Sequence, residues 1–310
     1  MLDVLNFLKK KEKPAEIKHL VISIKGIIEW AKKNEIPLEE VFLRRNKIIL
    51  NLINLIIEKD IPIFTIYLLS ESRKLGSSTE TVEAQTQAQK PEYQTKAFEA
   101  GDETDNKEQY ESEENEYTQL TESLTEFFNK LANEEIIHAK KIKISVLGKW
   151  YSLPGMVVES IKSAIDKTKD YDSFFLNFCV NYDGQEEIID AFKLIIRGVE
   201  DGNINEPLIS SNLNNMATKN LIKENVVNKN LIIENVANKD IKENFVSKNL
   251  IKENVYSSYF IPPDIIIEIG TDHRYSGVLL WDSVNAKIFF IEKLFPDIDK
   301  DDVEKILQNK

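Results

Sequence analysis

Short apolar segments alternate with longer amphipathic segments along most of this chain. Runs of branched and aromatic residues predict five buried strands, at residues 20–24, 63–69, 142–147, 174–181 and 265–269. Apolar residues at helical spacing predict the helices that alternate with them, at residues 41–59, 120–133, 154–169 and 185–200. Alternating strands and helices over this length predict an α/β fold with a mostly parallel central sheet flanked by helices.

An acidic insert, residues 75–118, interrupts this alternation. Between positions 75 and 116 it contains 12 acidic and 3 basic residues, and it has few branched apolar side chains. A segment of this composition buries too little apolar surface to offset the entropy lost on ordering. We therefore expect the insert to be disordered.

A second insert, residues 201–256, is rich in Asn, Lys and Ile and contains an internal repeat. Its copies begin at Lys219, Lys229, Lys239 and Lys248. This period is too short for solenoids of helical hairpins, and its apolar doublets fit either short strands or helix turns. We expect a peripheral, partly ordered excursion. The remaining blocks, 1–74, 119–200 and 257–310, are predicted to form a single domain.

Composition excludes several classes of function. The formal net charge of −12 argues against a nucleic-acid partner, which would require a basic surface. A single cysteine, Cys179, excludes an intramolecular disulfide and a cysteine-based zinc site, and its apolar neighbours predict a buried thiol. The three histidines are spread far apart along the chain, so a metal cluster is not expected.

The sequence predicts a cytoplasmic protein. No segment has the ~18 uninterrupted apolar residues of a membrane span, and the first residues do not form a signal-peptide pattern. Residues 1–11 place Leu2, Leu5 and Leu8 near one helical face, with lysines after them. This face could either contact an anionic membrane surface peripherally or dock on the domain itself.

Five blocks occur in an order that resembles one enzyme family: residues 19–33, 66–70, 148–154, 181–191 and 264–281. The last block is the most specific, because Arg274, Ser276 and Trp281 stand where a diphosphate-site signature requires them. On these blocks the chain resembles the cis-prenyltransferases, which include undecaprenyl and dehydrodolichyl diphosphate synthases. The resemblance implies condensation of isopentenyl diphosphate onto an allylic diphosphate. That reaction needs magnesium and an apolar tunnel for the growing chain.

Several residues that the resemblance assigns to chemistry are replaced. Lys25 and Lys287 stand where the family has a metal-binding aspartate and glutamate, and Glu268 stands where an arginine binds phosphate. Residues 27–29 replace the Asn, Gly and Arg of the diphosphate loop, and residues 41–45 replace a Gly-His-Arg-x-Gly run. Because an ammonium group cannot ligate magnesium, we expect this chain to bind neither metal nor cofactor.

Three residues remain from the family's diphosphate contacts: Gly26, Arg274 and Ser276. Gly26 also fits a structural role in the turn after the first strand. Arg274 either binds phosphate or pairs with Glu268 or Asp272. The two lysines either hold a diphosphate in place of a metal's charge or mark the loss of an unneeded site. Trp30 and Trp281 are interpreted as core anchors.

The retained scaffold and lost ligands imply a non-catalytic accessory subunit, similar to the degenerate subunits of this family such as the Nogo-B receptor subunit. Its partner would be a catalytic cis-prenyltransferase, in a heterodimer or heterotetramer, with Mg²⁺ bound in that partner. The product would be a long-chain polyprenyl diphosphate used as a glycan carrier lipid. Residues 185–200 and 264–281 would form the dimer surface.

Two alternatives remain open. The chain is either a homodimeric protein that binds an isoprenoid diphosphate without turnover, or an enzyme with relocated ligands. One departure from the degenerate animal subunit is the C-terminus, where residues 307–310 lack that subunit's Arg-x-Gly tail.

Overall fold

A computed structural model describes residues 17–70, 103–200 and 247–308. Its centre is a six-stranded sheet in which every neighbouring pair of strands is parallel. The strands are β1 His19–Ser23, β2 Ile63–Ser70, β3 Ile142–Leu147, β4 Phe174–Tyr182, β5 Ile265–Ile269 and β6 Lys287–Ile291, in the order β3-β4-β2-β1-β5-β6. The predicted α/β fold with a parallel sheet is confirmed.

Eight α-helices accompany the strands in the described ranges. They are α1 Ile27–Asn34, α2 Leu38–Glu58, α3 Glu103–Leu131, α4 Glu135–Ala139, α5 Gly155–Thr168, α6 Gly184–Glu200, α7 Lys248–Asn254 and α8 Lys300–Gln308. One face of the sheet, including Leu20 and Ile22, packs against apolar residues of α2, α3, α5 and α8. The opposite face, including Val21 and Cys179, packs against residues 256–261 and 275–286.

The acidic insert differs in part from expectation. The structure places residues 103–118 in the first half of α3, although their acidic composition led us to expect disorder. The C-terminal half of α3 buries Leu124, Phe127 and Phe128 on the sheet, and the helix extends N-terminally from this anchor. Residues 71–102 lie outside the described ranges.

The last copy of the repeat is helical. It forms α7, whose first turn is capped by the Ser247 side chain accepting a hydrogen bond from Leu250 N at 3.1 Å. Leu250, Ile251 and Val255 are buried against Ala191 and Ile195 of α6. Of the two conformations left open for the apolar doublet, this copy therefore adopts the helix. Residues 201–246, and residues 1–11 with their apolar face, lie outside the described ranges.

Parallel pairing brings the carboxyl ends of β1, β2 and β5 to one edge of the sheet. Val21 pairs with Thr65 of β2 and with Ile266 of β5, so the three strands end side by side. In open α/β sheets the crevice outside this edge is the usual place for a ligand. The residues that follow β1 and β5 are those that the sequence resemblance singles out.

Candidate functional site

A cavity of about 350 Å³ lies at the carboxyl ends of β1 and β2. Residues from these strands, from α2 and α3, and from the loop after β5 line it. The polar residues that line it are Ser23, Lys25, Arg45, Tyr67, Ser70 and Ser276, and the other lining residues are Gly26 and apolar residues. Its volume is at the lower end of the range for small-molecule sites.

Gly26 makes the turn from β1 into α1. Its φ of 78° is left-handed, a conformation that side chains other than glycine adopt at a cost. A Cβ at this position would also lie 2.4 Å from Leu294 Cδ2. The structural role predicted for this glycine is confirmed, whereas its role as a diphosphate contact stays a prediction.

Lys25 and Glu268 face each other across the ends of β1 and β5. Lys25 Nζ lies 3.4 Å from Glu268 Oε2 and 3.3 Å from Asp272 Oδ1, and it donates a hydrogen bond to the Arg274 carbonyl at 2.7 Å. Glu268 is 1% exposed, and the Lys25 side chain is 25% exposed. The two positions that the resemblance assigns to a metal-binding aspartate and a phosphate-binding arginine therefore hold the opposite charges, and these charges compensate each other.

Ser276 is engaged by the same carboxylate. Its backbone N and its hydroxyl donate to Glu268 Oε1 at 2.9 and 2.7 Å. The second oxygen, Oε2, lies within ion-pair distance of Lys25 but lacks hydrogen-bond geometry with any group of the described chain. The donors that would contact a phosphate at Ser276 are thus already used inside the protein.

Arg274 does not form either of the ion pairs considered from the sequence. Its side chain is exposed, and in the described ranges neither Glu268 nor Asp272 pairs with it, because both lie next to Lys25. Its role as a phosphate ligand stays a prediction.

Lys287 lies at the amino ends of the strands, whereas Lys25 lies at their carboxyl ends. It is the first residue of β6, aligned with Ile265 at the start of β5, and its N–H donates to Asp264 O at 3.0 Å. Lys25 instead follows the carboxyl end of β1. At about 3.3 Å per residue, the amino and carboxyl ends of β5 are roughly 13 Å apart. Within one chain the fold does not bring these two positions together.

A buried arginine that was not predicted from the sequence lies in the cavity wall. Arg45 of α2 is 2% exposed, and its guanidinium lies over the rings of Phe42 and Phe127, at 5.0 and 5.9 Å from their centres. Burial lowers the pKa of Arg45 to about 9. The signal was available, because Arg45 falls on the same helical face as Phe42 and Ile49, where only apolar residues are expected.

A second missed group is a buried network beneath α6. Glu187 is fully buried and accepts hydrogen bonds from the Tyr182 hydroxyl at 2.6 Å and from Ser257 N at 3.2 Å. Burial raises the pKa of Glu187 to about 7. Asp282 accepts from the Ser257 hydroxyl at 2.7 Å and pairs with Lys252 of α7. The network joins α6 to α7 and to the segment after β5.

The outer face of α6 is apolar and exposed. Ile189, Phe192 and Ile196 recur at helical spacing and are each between 38% and 45% exposed, while Ala191 and Ile195 are buried on the inner face. Trp30 is buried, and Trp281 packs against this inner cluster, which agrees with their interpretation as anchors.

In the ranges that the structure describes, no group of three His, Cys, Asp or Glu side chains is placed to hold a metal ion.

No described helix is long and apolar enough to cross a membrane. Cys179 is buried as expected, and burial raises the pKa of its thiol.

Comparison with known proteins decides the family. Residues 103–309 match a family model whose description reads "Putative undecaprenyl diphosphate synthase". The chain belongs to this family, the cis-prenyltransferases. The predicted resemblance is confirmed at this level, and the match covers the third, fourth and fifth motif blocks together with α3.

Among its relatives is a tritrans,polycis-undecaprenyl-diphosphate synthase (geranylgeranyl-diphosphate specific) from Methanocaldococcus jannaschii. It is 29% identical over 181 residues, covering 58% of this chain and 52% of the relative. A protein of the same description from Pyrococcus abyssi is 23% identical over 291 residues, covering 94% of this chain and 83% of the relative. This cis-prenyltransferase chain spans about half the length of most of the curated relatives it matches.

The fold is shared with lavandulyl diphosphate synthase from Lavandula x intermedia, whose crystal structure contains dimethylallyl diphosphate. The TM-score is 0.66 at 17% identity, and the match covers 96% of this chain and 95% of that one. At this identity the likeness concerns the fold alone.

Proposed function

We propose that this cis-prenyltransferase chain is a non-catalytic subunit, paired with a catalytic chain of the same family. The complex would make a long-chain polyprenyl diphosphate from isopentenyl diphosphate and an allylic diphosphate. Family membership and relatives described as diphosphate synthases support the reaction class. The observation that carries the non-catalytic role is the ion pair between Lys25 and Glu268.

This pair opposes both requirements of the reaction. Magnesium takes oxygen ligands, and here an ammonium group stands at the end of β1 where the family has a carboxylate, so the residues do not fit the metal. A diphosphate carries several negative charges. Lys25 already faces the two carboxylates of Glu268 and Asp272, which leaves this corner with an excess of negative charge. Mg²⁺ is therefore expected in the catalytic partner.

The exposed face of α6 supports a partner subunit. Ile189, Phe192 and Ile196 form a contiguous apolar stripe, and such stripes often mark protein–protein contacts. Two chains of the same fold can cover each other's α6 through a self-complementary interface. A heterodimer built in this way would leave each cavity intact.

The test is co-expression with an intact cis-prenyltransferase from the same genome. We expect the chains to co-purify, and labelled isopentenyl diphosphate to be incorporated by the mixed complex but not by this chain alone. Ile196→Glu should abolish co-purification because it places a charge within the apolar stripe, whereas Lys162→Glu, at an exposed position of α5, should not. Failure of the two chains to associate, or turnover by this chain alone, would contradict the proposal.

A second candidate function is supported by the cavity. A homodimer that binds an isoprenoid diphosphate without turnover would need a cationic side chain to bind the diphosphate in place of magnesium. Arg45 gives the cavity such a positive charge. Saturable binding of an isoprenoid diphosphate to the purified homodimer, with no incorporation even when the partner is present, would favour this function over the first.

A further inference from the structure

The inner face of α6 and the neighbouring Asp282 form a groove that holds the repeat copy 248–255. Three apolar residues of this copy are buried in the groove: Leu250, Ile251 and Val255. Lys252 pairs with Asp282, whose side chain is 3% exposed, and it donates to the Ser257 carbonyl at 2.9 Å. Because an isolated helix of this length is marginal in water, α7 depends on these contacts.

The octapeptide that lies in the groove occurs twice in this chain. Residues 219–226 and residues 248–255 both read Lys-Asn-Leu-Ile-Lys-Glu-Asn-Val. A residue type that caps helices precedes each of them, Thr218 in the first case and Ser247 in the second, and Ser247 caps α7. Residues 219–226 therefore have the same side chains that contact the groove in the other copy, including a lysine, Lys223, at the position of Lys252.

The other two copies of the repeat do not match the groove. Copy 229–236 has the same apolar residues, but Ile233 stands at the position of the pairing lysine. In the groove it would leave the buried Asp282 carboxylate without its cation, which is strongly destabilising. Copy 239–245 is one residue shorter and has a single apolar residue, Ile241, in place of the Leu-Ile doublet. Asp282 therefore distinguishes copy 219–226 from copy 229–236.

We propose that this groove is a recognition site for the octapeptide and that residues 219–226 of the same chain are its second occupant. The length of the chain allows the exchange. Residues 201–218, which connect α6 to this copy, span up to about 59 Å when extended. Along the helix, the groove residue Ala191 lies only about 14 Å from the end of α6.

Chain continuity explains why copy 248–255 occupies the groove in the structure. Residues 256–261 follow it directly and pack on the sheet, so its docking closes only one long connection, residues 201–247. Docking of the other copy closes two connections, 201–218 and 227–255, and the additional closure costs conformational entropy. Copy 219–226 is therefore the less populated occupant, and it enters the groove when copy 248–255 is weakened.

The exchange is independent of the proposed prenyltransferase function. The groove lies on the inner face of α6, whereas the partner subunit would cover the outer face with Phe192. Failure of the chains to co-purify would leave the exchange standing, and failure of the exchange would leave the accessory role standing.

Hydrogen exchange followed by mass spectrometry identifies the occupant in the full chain, because different flanking residues distinguish the peptides of the two copies. Leu250→Asp places a charge among the buried apolar contacts of copy 248–255. In this variant we expect amide exchange in residues 219–226 to slow at least roughly tenfold relative to the wild-type chain. Adding Leu221→Asp should remove this protection. Leu231→Asp is the matched control in copy 229–236 and should leave the protection unchanged.

Further substitutions test the selection by Asp282. In the Leu250→Asp chain, Lys223→Ile gives the first copy the sequence of copy 229–236, and we expect its protection to be lost. Ile233→Lys, added to these two substitutions, gives copy 229–236 the pairing lysine. Protection should then appear in residues 229–236 instead.

Lys252→Ile replaces Leu250→Asp if that variant does not fold. It gives copy 248–255 the sequence of copy 229–236 and leaves residues 219–226 with the pairing lysine, so their amide exchange should again slow. Three results would overturn the proposal. The first is unchanged exchange in residues 219–226 in both variants. The second is equal slowing in residues 229–236. The third is slowing that increases with protein concentration, which would assign the occupant to a second molecule of this chain.

Discussion

Two cationic side chains that line one cavity, Lys25 and Arg45, differ in whether the chain supplies a counter-ion. Lys25 lies at the ends of β1 and β5, where Glu268, Asp272 and the Arg274 carbonyl surround its ammonium. Arg45 lies deeper, in the wall formed by α2, where its neighbours are the neutral oxygens of Asn46 and Ser123 and two aromatic rings. The first cation is compensated by the chain itself, and the second is not compensated by any described residue.

The comparison distinguishes a cation that has carboxylate partners from one that has none among the described residues. At the position of Lys25 the charges of the family pattern are exchanged between β1 and β5, and the two side chains form an ion pair with each other. At the position of Arg45 a charge is present that no described internal contact requires. Buried polar groups without a partner contribute to function more often than to stability, because their burial costs free energy.

The largest effect on stability is expected for Lys25→Met. The variant leaves the buried Glu268 carboxylate without its cation, and breaking a buried pair costs about 3–5 kcal/mol. Because the Lys25 side chain is 25% exposed, we expect a smaller loss, about 2–3 kcal/mol. Urea denaturation measures this change.

The control for this variant is the double substitution Lys25→Met with Glu268→Leu. It removes both charges and should recover most of the free energy of unfolding that the single variant loses. A double variant that is as unstable as the sum of both single variants would show that the two residues do not interact.

An intermediate effect is expected for Glu187→Gln, and it depends on pH. Folding raises the pKa of Glu187 from its ordinary value of 4.5 to about 7. Between these two values the unfolded chain releases the proton while the folded chain keeps it, so the wild-type protein loses stability as pH rises. Over pH 5 to pH 7 this loss amounts to about 2 kcal/mol.

Glu187→Gln should remove this slope, because the amide does not titrate. The measurement is urea denaturation of both proteins at several pH values, with the difference in free energy of unfolding plotted against pH. A difference that stays constant between pH 5 and pH 7 would contradict the raised pKa.

The smallest effect on stability is expected for Arg45→Met. Met fills a similar volume among Phe42 and Phe127, and it removes a buried cation that lacks a counter-ion. Replacing buried charges by apolar residues is often neutral or stabilising, so we expect a change within about 1 kcal/mol, or a gain. A loss comparable to that of Lys25→Met would indicate a structural role and would remove the contrast between the two cations.

Much of the fold could be predicted because its strands are buried. β1, β2, β4 and β5 are apolar over almost their whole length, which is the pattern of central parallel strands. β6 was not predicted as a strand, because it lies at the edge of the sheet and all five of its residues are exposed or half-buried. The start of α3 was missed because its composition is polar and its helix depends on contacts made near Phe127 and Phe128.

Individual residues of the site could be identified from the sequence, but the contacts between them could not. The sequence showed that Lys25 and Glu268 carry unexpected charges, but they lie 243 positions apart, and only the pairing of β1 with β5 places them together. From the sequence, Glu268 was one of two predicted partners for Arg274, whereas in the structure Glu268 pairs with Lys25. Arg45 escaped notice because the cost of burying its charge becomes visible only when α2 and α3 are packed together.

The central claim is that this chain has the cis-prenyltransferase fold, while the ion pair between Lys25 and Glu268 prevents magnesium and diphosphate from binding as the family pattern requires. It is tested most directly by measuring incorporation of labelled isopentenyl diphosphate, with magnesium, by this chain alone, by the catalytic partner alone and by the mixed complex. The account predicts no incorporation by this chain alone and more incorporation by the complex than by the partner alone. Steady incorporation by this chain alone would contradict it.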